Sequence, residues 1–113
     1  MREQIRAAVK GILCNGVVSD DAKIAWDLLI SQQGERPVRL AMVASNGEVF
    51  LGKPGQPGLH SGVTLKATID QLKNIMAGNY RLLTACIMDQ PDLDKAMVAF
   101  KFEQCFKIPP TLH

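Results

Sequence analysis

The chain has 113 residues, enough for one hydrophobic core and too few for two independent ones, so a single domain spanning residues 1–113 is expected. Apolar residues make up 47% and charged residues 21%, a globular composition that excludes global disorder. Thirteen basic and eleven acidic side chains give a net charge of +2 with no basic block, and only six aromatic rings are present, which argues against a nucleic-acid surface.

Ile5, Ala8, Val9, Ile12 and Leu13 recur at helical spacing, predicting an amphipathic helix over about 2–14 that Asn15-Gly16 ends. Lys10 and Asn15 interrupt its apolar positions, so no export signal forms, and no apolar run reaches the ~18 residues of a membrane span. Ser19, Asp20 and Asp21 then read as the cap and acidic first turn of a second helix carrying Ala22, Ala25, Trp26, Leu29 and Ile30.

Gln33 to Pro37 breaks that pattern, and "VRLAMVASNGEVFLG" follows as two short runs around Asn46-Gly47. Asn-Gly suits a type I′ hairpin, in which both central residues need positive φ. Pairing Ser45 with Glu48 puts Val38, Leu40, Met42, Ala44, Val49 and Leu51 on the core side. Ala41, Val43 and Phe50 fall on the other side with Arg39 and Glu48.

The loop "GKPGQPGLHSG", residues 52–62, leads into a third helical pattern beginning near Thr64, with Leu65, Ile69, Leu72, Ile75 and Met76 on its stripe and Gly78 after its end. "NYRLLTACIM" reads as a strand buried on both faces. Residues 96–104 fit strand alternation through Val98, Phe100 and Phe102 as well as a helix; the strand is preferred, closing a hairpin across "DQPDLD". The expected fold is therefore α+β: a two-layer sandwich in the order α-α-β-β-α-β-β, with about four antiparallel strands and helices mainly on one face.

Chemistry-bearing residues are sparse. Backbone amides of the glycine-rich loop ahead of a helix start, with Lys53, His60, Ser61 and Thr64, form a candidate site for a small anionic ligand. Its spacing matches neither phosphate-loop motif, and a plain connector is the competing reading. No metal site or cofactor is expected, because His60 and His113 are the only histidines and no Cys pair has ligand spacing. A Cys86, His60 and Asp89 nucleophile set is outweighed by Cys86 as a core thiol, and Asp89, Asp92 and Asp94 read as a solvated turn, so no catalytic residue is assigned. "CNGVVSDD" has the glycine of a calcium loop without its carboxylates, Arg2, Arg6 and Lys10 form a solvated basic edge, and Met42, Met76, Met88 and Met97 fill internal gaps.

Cys14, Cys86 and Cys105 are odd in number and lie in apolar segments, which suits a reduced, cytoplasmic protein. The sheet side bearing Ala41, Val43 and Phe50 is too apolar for free solvation, which makes it a candidate interface. The leading functional expectation is thus a soluble, non-enzymatic interaction or regulatory module whose partner is itself, as a homodimer, or another protein. A binder of a small anion through residues 52–64 is the alternative, and neither membrane nor nucleic acid is expected as a partner.

Overall fold

The computed structural model describes residues 2–14, 18–20, 23–32, 34–52, 63–88, 90 and 92–108. Its elements are α1 (Arg2–Cys14), β1 (Ile24–Ser31), β2 (Val38–Ser45), β3 (Glu48–Gly52), β4 (Thr64–Thr68), α2 (Ile69–Met76), α3 (Tyr80–Cys86), β5 (Ile87–Met88) and α4 (Asp92–Phe106). The class is α+β, as the composition and patterning imply, with one five-stranded sheet in the order β3-β2-β1-β4-β5. The sheet is mixed rather than antiparallel throughout: β1 and β4 run parallel, whereas β1–β2, β2–β3 and β4–β5 are antiparallel.

Two local expectations match the structure closely. The first helix covers Arg2–Cys14 and buries Ile5, Val9 and Leu13, one residue per turn. The hairpin pairs Ser45 with Glu48, and its central residues Asn46 (φ 55°) and Gly47 (φ 78°) have the positive φ values of a type I′ turn.

The expected second helix is instead strand β1. Ile24, Trp26, Leu28 and Ile30 are buried while Ala25, Asp27, Leu29 and Ser31 are half-buried, a period of two that the nearly continuous apolar run masks in the sequence. Ile and Trp fit a pleated surface well, and pairing on both edges of this central strand decides the conformation.

The third helix starts later than its stripe implies. Residues 64–68 form β4, with Leu65 and Ala67 inward and Lys66 and Thr68 outward. Thr68 is the true cap: its hydroxyl accepts from the Gln71 backbone N–H at 3.1 Å, and its own N–H donates to the Gln71 side chain at 2.9 Å. Gly78, at φ 112°, ends this helix as expected.

The last two expected strands are mostly helical. Asn79 accepts from the Leu82 N–H at 3.0 Å and caps α3, leaving only Ile87–Met88 as strand β5. Residues 92–106 form α4 because Ala, Met, Lys, Glu and Gln outnumber β-branched residues there, and Ala99, Phe102 and Phe106 are buried at helical spacing.

The four helices of the described residues pack on one side of the sheet. Ile5, Val9 and Leu13 of α1, Leu72 and Ile75 of α2, and Leu83 and Cys86 of α3 join one core with the inward strand residues. Helix α4 adds Ala99, Phe102, Cys105 and Phe106. Phe102 is the centre of this contact, with ring centroids 4.9 Å from Trp26 and 4.7 Å from Phe106. At one sheet edge the Arg6 guanidinium of α1 donates to the Leu51 carbonyl of β3.

Candidate interaction face

Strand alternation that buries one set of side chains delivers the other set to the opposite side. No helix among the described residues packs there. Cross-strand pairing sorts its side chains into rows: Ala25, Val43 and Phe50; then Asp27, Ala41, Thr64 and Met88; then Arg39, Leu29 and Lys66. Ser31 and Thr68 form the row beyond, and Ser45 and Glu48 the row at the hairpin end.

The face therefore has one apolar row, Ala25, Val43 and Phe50, among separated charges. Phe50 is 53% exposed and Met88 39% exposed, whereas Val43 and Leu29 are half-buried beside them. Glu48 stands near the hairpin, Arg39 and Lys66 lie toward the far end, and half-buried Asp27 sits between them. With strands about 4.8 Å apart and a rise of about 3.3 Å per residue, this side projects on the order of 500 Å². Allowing for atomic relief, that approaches the ~800 Å² per partner of a standard interface.

Val43 and Phe50, selected in the sequence for this face, are direct cross-strand partners on it. Ala41 lies on the same face but is only 2% exposed, so it forms floor rather than contact surface. Of the anion-site residues, Lys53, His60 and Ser61 lie outside the described residues. Thr64 is the first residue of β4, paired with Asp27 and Met88, and the nearest helix start is at Ile69.

A cavity of about 350 Å³ opens at the β4 edge of the sheet, beside Lys66 and between the sheet and the helices. Lys66, Thr68 and Met88 are among the residues that line it from the sheet, Gln71 lines it from α2, and Leu82 and Cys86 are among those that line it from α3. Sequence reasoning missed Leu29, Lys66, Thr68 and Met88 as members of the face, because their segments read there as helix or as a doubly buried strand. The one available signal was the alternation of Leu65 and Ala67 with Lys66 and Thr68.

The thiols differ sharply in environment. Cys14 is exposed, whereas burial pushes the pKa of Cys86 and of Cys105 above the ordinary thiol value of 9.0. Alkylation near pH 8 is expected to mark Cys14 first and Cys105, with no exposed surface, last, as read by peptide mass spectrometry. Because the folded state holds these two protons more tightly than the unfolded state, fold stability falls as pH rises past 9.0.

Among the described residues no three Cys, His, Asp or Glu side chains gather as a metal site, and no helix is long and apolar enough to cross a membrane. No family model, curated protein or solved structure matches this chain.

Proposed function

We propose that this protein is a non-enzymatic interaction module that self-associates as a homodimer through the side of its sheet opposite the helices. One observation carries the reading: Phe50 stands 53% exposed, with Val43 beside it, on a side of the sheet that no described helix covers. Burying a side chain of this size stabilises by about 1.5–3 kcal/mol, and an exposed large aromatic is a typical interface anchor. A two-fold dimer is the commonest arrangement that covers such a face. Two buried, unpaired thiols, Cys86 and Cys105, suit a reduced, cytoplasmic setting.

The test is sedimentation velocity or light scattering over about 1–500 µM, a range that captures micromolar dimers. The native chain is expected to dimerise with rising concentration. Phe50→Asp and Val43→Asp are each expected to weaken association at least about a hundredfold, since the symmetric interface would bury the new carboxylate twice. Thermal melts close to that of the native chain show that the variants fold. A monomer throughout the range overturns the reading, and association that ignores both substitutions moves the interface elsewhere.

A further inference from the structure

We infer that the outer side of α4 is a second contact between copies of this chain, in which the α4 helices of two molecules pack antiparallel about a two-fold axis. Its residues are not those of the sheet face, and the contact does not depend on that face. Ala99, Phe102, Cys105 and Phe106 turn one side of α4 into the core. Met97 and Phe100 turn the opposite way, 61% and 54% exposed, although the sequence placed Met97 at an internal gap. Gln104, also exposed, continues their line one turn on, so positions 97, 100 and 104 have the three-then-four spacing of a helix-pairing seam. A helix that is apolar on both sides is one that packs on both.

Charge identifies the occupant as a second copy. Asp94 and Lys101 are exposed, opposite in sign and seven residues apart, so both lie along one flank of the seam. Antiparallel pairing that sets Met97 against the second copy's Phe100 brings Asp94 level with position 103 of that copy, two residues or about 3 Å along the axis from its Lys101. A lysine side chain spans that offset. The two-fold axis repeats each contact, so one surface supplies two contacts of a methionine sulfur with an aromatic ring and two opposite-charge pairs. In a parallel pair Lys101 would instead face Ala96, which carries no charge.

Room for the ring exists beside the seam. Ala96, one turn before Phe100, is small and exposed, and it borders a groove of about 410 Å³ lined also by Lys95 and by Tyr80, Thr84 and Ala85 of α3. The same register places the second copy's Phe100 within one residue of Ala96, on the flank where this groove opens. Two large side chains per copy bury less than the ~1,200 Å² of a standard interface, so the contact is weak, with a dissociation constant on the order of 0.1–1 mM. At such concentrations it joins sheet-face dimers into larger assemblies.

Sedimentation of the full-length chain separates the two contacts. Phe50→Asp, which removes the sheet-face dimer, is expected still to dimerise between about 0.1 and 1 mM. Adding Phe100→Asp is expected to weaken that residual association at least about tenfold while leaving the thermal melt unchanged, since position 100 faces away from the core. In the Phe50→Asp chain, Asp94→Lys and Lys101→Asp are each expected to weaken it about fivefold, and the two together to recover most of the loss. A photoreactive benzophenone amino acid at position 97 is expected to cross-link isotope-labelled to unlabelled chains within residues 96–101, located by mass spectrometry. A native dimer that Phe50→Asp converts to a monomer up to about 1 mM overturns the α4 contact and leaves the face reading intact. A native dimer that survives Phe50→Asp and Val43→Asp but is lost in Phe100→Asp keeps the α4 contact and overturns the face reading. Association without charge-swap recovery, with cross-links outside residues 96–101, overturns the antiparallel pairing.

Discussion

Phe102→Ala is expected to lower the stability of the fold by about 3–5 kcal/mol, a large share of the 5–15 kcal/mol typical of a domain. Phe102 has no exposed surface and packs, with tilted rings, against both Trp26 of β1 and Phe106. Its removal deletes the transfer energy of a whole ring and leaves a void between a strand and a helix that backbone hydrogen bonds hold apart. The melting temperature should fall by roughly 15 °C or more, and Phe102→Leu, which refills part of the space, by about half as much. Urea denaturation followed by the single tryptophan, Trp26, reads this contact directly. A loss below about 1 kcal/mol would mean that α4 does not pack on β1.

The second large effect separates two adjacent turns of α4. Ala99→Asp is expected to unfold the chain or cost more than about 4 kcal/mol, whereas Ala96→Asp should fall within about 1 kcal/mol of the native chain. Ala99 is 0% exposed and Ala96 is exposed. In a strand, Ala96 would share a side with Phe102 and Ala99 would face away, so the two substitutions would exchange their effects. Circular-dichroism melts of the two variants therefore distinguish helix from strand without further structural work. Equal tolerance of both would contradict the packing described for this helix.

That contrast also shows which parts of the fold were legible in the sequence. The first helix announces itself because polar residues separate Ile5, Val9 and Leu13 into one stripe, and the hairpin because Asn46-Gly47 fixes its own geometry. Both signals are local. In α4, Met97 (61% exposed) and Phe100 (54% exposed) place apolar groups on the outer side as well, so no stripe stands out, and strand alternation fits equally well. In β1 nearly every position is apolar, and the choice between periods two and 3.6 is made by neighbours distant in sequence.

The candidate face divides in the same way. Val43 and Phe50 could be placed on it from the turn register alone. Leu29, Lys66 and Met88 belong to it only through the pairing of β1 with β4 and of β4 with β5, which no short stretch of residues encodes. The cavity beside Lys66 arises where β5 stops after two residues and α3 takes over, a consequence of assembly rather than of any motif.

The parallel seam between β1 and β4 carries a kinetic consequence. Strands β1, β2 and β3 follow one another as an antiparallel meander, so their pairings close short loops and form early. Leu28 and Leu65 meet only after a much longer segment has been ordered, and the entropy of closing that loop is spent before any seam contact stabilises the sheet. The barrier to folding is therefore expected to lie at the joining of β4 to a preformed three-stranded unit. Until that step is complete, the β1 edge stands open as a template for a strand of another chain, so the speed of this one closure sets how long newly made protein is exposed to misassembly.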